Sequence, residues 1–321
     1  MRSIVFVLSA IVSLCGSAAQ AQTYPNKPIK VIVPHSVGGS PDTFARIVAQ
    51  KVSESLGQQV VVETRLGAGG IVGSNVVIQS APDGYTLLMA DSSAYAITPH
   101  MYASVPFDPL KSLVPIMPGA TVPLLLVVHP ALNVSNLKEL IALAKTQPGI
   151  FYGSSGSGTP HHLAMELLKS RAGIDLAHVA YKGSAQSVLG LIASEVSVAF
   201  MGTNAASPQA KAGKLKIIAV STASRIPLMP EIATVAEAGF PGFEVNTTFG
   251  FFAPLNTPRD IVGKLNAELS KAVKSGEVQQ RLYALGLEAA ADMTPEQYAE
   301  FVRKEYQTFG ALVKAIGARA D

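Results

Sequence analysis

Cysteine occurs once in 321 residues and tryptophan not at all. A single thiol excludes a disulfide framework and any cysteine-rich metal site. Charge is scarce as well: 25 Lys and Arg stand against 22 Asp and Glu, a formal net of +3, and charged residues make up 15%. No basic cluster stands out, which argues against a nucleic-acid binder, because phosphate recognition needs a stripe of Lys and Arg. There is no low-complexity linker. Beyond the N-terminus no run reaches 18 uninterrupted apolar residues, so no later segment reads as a membrane span. What is present is apolar. The 48% hydrophobic content is ample for packed cores and incompatible with intrinsic disorder. The length allows one large or two ordinary domains.

The N-terminus has the layout of a cleaved leader. Arg2 is positive, Ile4 to Leu14 is an apolar run, and Ala19-Gln20-Ala21 is an A-x-A cleavage site. The run is too short to cross a hydrocarbon core of about 30 Å. A lipid anchor at Cys15 is disfavoured by Leu14, where a small residue is wanted. Residues 1–21 are therefore expected to be a signal peptide, with the mature chain beginning at Gln22. Cleavage removes the only Cys, and the net charge of +3 falls by the one charge of Arg2 to +2. An exported chain in a bacterial envelope lies in the periplasm, where ATP and nicotinamide cofactors are not expected.

Short β-branched runs alternate with amphipathic stretches. Strands are predicted at 29–33, 59–63, 85–90, 124–129, 150–153, 176–181, 196–201, 216–220 and 249–253, many apolar throughout, as strands buried on both faces should be. Helices are predicted over 41–55, over 136–146 with Ser135 as N-cap, and over 160–171. Thr257-Pro258 and Thr294-Pro295 open a helical C-terminal region, with Asp260 and Gln297 placed to reach back. This alternation means parallel-type sheets flanked by helices, an α/β fold. Crossovers near Ala120–Pro123 and Glu244–Phe249 would divide it into one lobe of 22–121 plus 247–321 and a second of 122–246.

Two strand-to-helix loops carry the candidate chemistry. The first is Pro34-His35-Ser36-Val37-Gly38-Gly39-Ser40-Pro41-Asp42, the second Gly153-Ser154-Ser155-Gly156-Ser157-Gly158-Thr159-Pro160. Each ends in a capping hydroxyl and a Pro suited to the first helical position. Unpaired amides and the positive helix end make such a turn an anion site. One loop alone is also an ordinary capped turn. Two of like construction, one per proposed lobe, suggest a ligand clamped between lobes without a single Lys or Arg.

Enzyme motifs largely fail. There is no G-x-S-x-G, Walker or H-E-x-x-H sequence. Arg65 to Gly73 imitates a dinucleotide loop, but it follows the second strand rather than the first and reads as a structural turn. Ser135-x-x-Lys138 and Lys274-Ser275-Gly276 resemble penicillin-binding signatures; an exported serine hydrolase or penicillin-binding-like enzyme is the rival class. His162 and Glu166 share a helix face but lack a third metal ligand. No catalytic residue, metal or cofactor is assigned.

The ordered motifs resemble the Bug family, the periplasmic solute-binding proteins of tripartite tricarboxylate transporters. They run from Tyr24-Pro25 through Gly38-Gly39-Ser40-Pro41-Asp42, Ala81-Pro82-Asp83-Gly84-Tyr85, the second Gly/Ser loop, Tyr181-Lys182-Gly183 and Phe252-Ala253-Pro254. The resemblance covers essentially the whole mature chain. It implies a two-lobed, type II periplasmic binding fold, not an enzyme, that closes on a di- or tricarboxylate or an aromatic acid. It also implies delivery to membrane transporter subunits or a sensor kinase, and a monomer. Site residues implied are His35 to Ser40, Asp42, Ser92, Ser93, Ser154 to Thr159, His162, Tyr181, Gly202, Thr203 and Phe249. Two departures bear on the ligand. His35 replaces a customary Phe, and Met201-Gly202 replaces Phe-Asp, which disfavours amino acids and favours a carboxylate with a bulkier body.

Overall fold

The computed structural model describes residues 24–319. The expected leader, its cleavage site and Cys15 lie outside them. Two helix-flanked sheets form. The first has strand order β11-β4-β10-β3-β1-β2, with β1 Ile29–Val33, β2 Val60–Thr64, β3 Thr86–Asp91, β4 Leu113–Val122, β10 Thr247–Pro254 and β11 Glu288–Ala289. The second has order β7-β6-β8-β5-β9, with β5 Leu124–Val128, β6 Phe151–Ser154, β7 Ala177–Ala180, β8 Val198–Gly202 and β9 Lys216–Val220.

The sheets are mixed rather than purely parallel. β1, β2 and β3 are parallel, as are β6, β7 and β8. The strands that carry the chain between sheets run against them: β10 pairs antiparallel with β3 and β4, and β5 with β8 and β9. The polypeptide passes directly from β4 to β5 at Pro123 and returns into β10 at Thr247. β4 has no counterpart among the predicted strands. Its two prolines and a glycine obscure a buried strand, and its register with β10 shifts twice to accommodate them.

The helices are α1 Ser40–Leu56, α2 Ile71–Ile78, α3 Leu137–Thr146, α4 Pro160–Ala172, α5 Ser184–Ile192, α6 Thr203–Lys211, α7 Arg259–Lys274, α8 Gly276–Ala284 and α9 Pro295–Ile316, besides shorter turns. α1 buries Phe44, Ile47, Val48 and Val52, the apolar stripe expected from its spacing. Thr159 and Thr294 cap α4 and α9 as predicted, the latter in a complete capping box with Gln297. Three caps differ. α3 is capped by Asn136 rather than Ser135, α1 begins one residue early so that Gly39 is its N-cap, and α7 starts after Pro258 without a side-chain cap. The 65–73 stretch is a packing turn. A side chain at Gly73 would meet the Arg65 carbonyl at 2.8 Å and Pro34 at 2.9 Å, so two backbones cross where only hydrogen fits.

α9 ties the halves together. Tyr298, Val302, Phe309 and Val313 belong to one buried cluster with Leu88 and Phe252 of the first sheet and with Leu163 and Leu168 of α4. Among the described residues no helix is long and apolar enough to cross a membrane.

Candidate ligand cleft

The carboxyl ends of β1, β3, β6 and β8 face one cleft of about 800 Å³ between the sheets, the position where α/β folds hold ligands. From the first-sheet side, His35, Ser36, Val37, Gly38, Gly39, Ser40, Ser93 and Phe249 line it; from the second, Ser155, Thr159 and Gly202. All are residues expected from the sequence.

Other expected residues lie elsewhere. Asp42 is buried behind the first loop, where it accepts from the Gly38 amide at 2.9 Å and from Arg46. Burial alone would raise its carboxyl; the hydrogen bonds from Arg46 and Gly38 outweigh this and hold it below the usual carboxylate range. It fixes the loop rather than lining the cleft. Ser92 is buried and accepts from the Thr248 amide. The Ser154 hydroxyl is buried against Gly156 and His178. Gly156, Ser157 and Gly158 are not among the residues that line the cleft, and a side chain at Gly158 would meet Met101 of the first half. His162 stacks on His178 at 4.2 Å and accepts from the Gly158 amide, while Glu166 is taken by Tyr152 and Lys169. The Tyr181 hydroxyl donates to Glu195, and Thr203 donates to the Gly286 carbonyl. Met201 is buried in the core of the second half.

The cleft also holds residues not expected from the sequence. Asp91 ends β3 directly opposite Phe249 of β10 and lies 3.2 Å from His35 Nε2. Burial would lower the His35 pKa, but the Asp91 carboxylate beside it overcomes this, so His35 sits above the ordinary imidazole value of 6.5. Asp91 is correspondingly held low; His35 overrides the burial that would raise it. His161, not its neighbour His162, faces the cleft with Nδ1 2.8 Å from Ser155 Oγ. Burial pushes it down to about 4, so it is neutral at pH 7. Lys182 and Lys214 also line the cleft, and among the described residues neither has an acidic partner. A site free of lysine is therefore not what forms. An apolar strand ending in an acid (Thr86 to Asp91) was the legible signal for Asp91.

Four helices begin at this cleft. Ser40 and Pro41 of α1, Pro160 and His161 of α4, Ser184 and Ala185 of α5, and Asn204 and Ala205 of α6 are all lining residues in a first turn. The first amides of a helix have no intrahelical acceptor, and each N-terminus carries roughly half a positive charge. Donor supply differs in detail from the expectation. The Gly39 amide is already given to the Ser36 carbonyl at 3.1 Å, and Ser40 Oγ, freed from capping, accepts from Asn204 Nδ2 across the cleft at 2.6 Å. The first-turn amides of Ser40 and Asp42 remain. The rival enzyme motif does not assemble in the cleft. Ser135 is exposed and accepts from Lys216, and Lys274 pairs with Asp292.

Known proteins are similar to this chain in sequence and fold. A family model described as the tripartite tricarboxylate transporter family receptor matches residues 44–318. Protein BugT of Bordetella pertussis is 35% identical over 99% of this chain and 99% of its own. The R. palustris protein Rpa4515, solved with adipate, is 32% identical with a TM-score of 0.85, over 92% of this chain and 99% of that one. MatC from Rhodopseudomonas palustris, solved with bound malate, is 28% identical with a TM-score of 0.81, over 90% of this chain and 100% of that one. The match to the family model over most of the length, together with the BugT identity, makes this chain a member of the tripartite tricarboxylate transporter receptor family.

Proposed function

We propose that this protein is a periplasmic receptor that captures a small organic carboxylate between two lobes and presents it to transporter membrane subunits or a sensor kinase. The observation that carries this reading is the meeting of four helix N-termini on one cleft. Each charge-assisted hydrogen bond to a carboxylate is worth about 1.5–3 kcal/mol net, so three or four support a micromolar site near −8 kcal/mol. Relatives solved with adipate and malate support the same ligand class. The lobes are 22–121 plus 247–321 and 122–246, moving about the 122–124 and 245–247 connections, and the chain acts as a monomer exported by its leader. Differential contacts in the closed form shift the open–closed equilibrium. The Asn204–Ser40 bond is one such contact.

Calorimetry and thermal shift with aliphatic and aromatic acids, amino acids and ester substrates test this. Micromolar binding and stabilisation by acids, with no ester turnover, are expected. Stabilisation by amino acids alone, or hydrolysis, would sink the reading.

The pH dependence has a definite sign. Below its raised pKa, His35 is protonated and adds positive charge to the cleft. Above it, that charge is lost and Asp91 stands unneutralised against the incoming anion. Carboxylate affinity is therefore expected to fall by about tenfold between pH 6 and 9, the worth of one charge-assisted contact. His35→Gln should bind weakly at both ends with a flatter profile, the residual slope coming from Glu305, which ionises behind the cleft at about pH 7. An unchanged slope in that variant would exclude His35 as the titrating group.

A further inference from the structure

The Gly/Ser loop at 154–159 is held from behind by two histidines, neither of which lines the cleft. Tyr152 of β6 and His178 of β7 are register partners, and their rings stack with centroids 4.8 Å apart. α4 lays His162 against His178, 4.2 Å away and 16° from parallel. Each imidazole takes one end of the loop. His178 Nε2 lies 2.7 Å from Ser154 Oγ, whose own proton goes to the Gly156 carbonyl, so His178 is the donor. His162 Nδ1 accepts from the Gly158 amide at 3.2 Å. Between these anchors the loop sets Ser155 and Thr159 at the cleft wall.

An acceptor needs a lone pair, so His162 is the neutral tautomer with its proton on Nε2. A proton on Nδ1 would set N–H against N–H and free Gly158. Protons on both rings would place two cations in one stack. The charged groups facing the pair are few. Glu166 and Lys169 stand on α4 and bind one another, and Glu166 also takes the Tyr152 hydroxyl. β8, packed against α4, runs Val198 to Gly202 and brings none; α9 meets α4 through apolar side chains such as Phe309 and Val313. Burial holds both histidines below the ordinary 6.5. For His178, pushed down to about 4, His162 and Lys169 add to the effect and Glu166 opposes it.

We propose that His162 and His178 are positioning residues for ligand binding: as a neutral stack they hold the 154–159 loop in its binding form, and a proton on the stack releases it. The sign follows from linkage. With the loop free, the imidazoles titrate near 6.5; with the loop held, His178 resists until about 4. The held form binds fewer protons in that window, so it loses ground as pH falls from 6.5 towards 4. His35 and Glu305 take up their protons at or above the top of the window. Affinity therefore has a maximum near neutrality, with His35 setting the alkaline limb and the stack the acid one. The proposal rests on the carboxylate reading for its ligand but not for the state of the loop.

Two measurements test it, on the wild type and on the double variant His162→Asn with His178→Gln. Asn Oδ1 keeps an acceptor near the place of Nδ1, Gln Nε2 keeps a donor near that of the imidazole Nε2, and neither titrates. In calorimetry with adipate and malate, the double variant should bind within about twofold of wild type at pH 7 and about tenfold more tightly than wild type at pH 4.5, the worth of one lost hydrogen bond. Protonation of the acid itself, and of His161 at about 4, is common to both proteins, so their ratio isolates the stack. In the ligand-free wild type, amide exchange corrected for its intrinsic rate should show the 154–159 segment losing about tenfold in protection from pH 6.5 to 4.5 while α7 keeps its own. The variant's loop should stay protected. A ratio that does not change with pH, or wild-type loop protection that does not fall, would overturn the proposal and leave the carboxylate reading standing. If none of the acids binds, the receptor reading falls and loop exchange alone decides this one. If the double variant fails to fold, the wild-type comparison of loop against α7 decides it.

Discussion

Glu305→Gln is expected to raise the melting temperature at pH 8 and to flatten its dependence on pH. Glu305 lies on α9 behind the cleft floor. It accepts from Tyr95 at 2.5 Å and from Thr248, on the strand that has just returned from the second half, at 3.0 Å. Burial pushes its pKa up to about 7; the Tyr95 and Thr248 hydrogen bonds oppose this, and the like charges of Asp91 and Glu244 add to it. The unfolded chain releases this proton near the ordinary value of 4.5, whereas the native form keeps it until about 7. The native state therefore binds more protons across that window, and stability falls as pH rises through it. Above pH 7 the loss is on the order of 3 kcal/mol, or several degrees of melting temperature in a chain of this size. Gln keeps an acceptor for one hydroxyl and carries no charge. Melting curves at pH 5 and pH 8 should show wild type and variant close together at the lower pH and the variant higher at the upper. Parallel curves would mean that Glu305 is ionised in the native state at neutral pH.

Gly250→Ala should be the most damaging small substitution near the cleft. Gly250 lies in β10 between Ala90 of β3 and Pro118 of β4, and a side chain there would run into the Tyr298 ring, 2.6 Å from Cζ. Tyr298 cannot swing aside. It is fully buried and packed between Phe252 and Phe301, with ring centroids 5.6 and 6.1 Å away. Overpacking of a tight core typically costs about 1–3 kcal/mol and sometimes more. With a rigid ring on one side and a sheet on the other, we expect about 3 kcal/mol or more, a fall in melting temperature of roughly 6–12 °C. Adding Tyr298→Phe removes the nearest oxygen and should restore part of the loss. A Gly250→Ala protein that melts like wild type would show that α9 can lift from the sheet, and with it the tie between the two halves.

Much of the site was legible because anion loops are written in local chemistry. Gly, Ser and Pro between a strand and a helix identified the starts of α1 and α4, and both line the cleft. The start of α6 enters the expected site through Gly202 and Thr203, whereas the start of α5, which lacks that dense Gly/Ser spelling, does not, although Lys182-Gly183-Ser184 has the same layout. The recurrent error lay between adjacent residues. His161 faces the cleft and His162 a stack of rings; Ser93 lines it and Ser92 is buried; Lys182 lines it and Tyr181 reaches to Glu195. Neighbours point in different directions on both helix and strand. Which of the two meets the ligand depends on how each element is rotated against its core, and local sequence does not contain that rotation.

Sequence alone determined the α/β class, the helix faces, the caps at Thr159 and Thr294 and the family. These rest on periodicity, on backbone preferences a few residues long, and on the order of motifs along the chain. Tertiary structure decided the rest. It set Asp91 against His35, placed two lysines with no acidic partner among the described residues around a site expected to have none, and drew the Ser40 hydroxyl away from its helix to Asn204. Each of these joins residues tens to more than a hundred positions apart. Their pKa values, partners and exposure follow from which surfaces fold together, and only the packed chain brings those surfaces into contact.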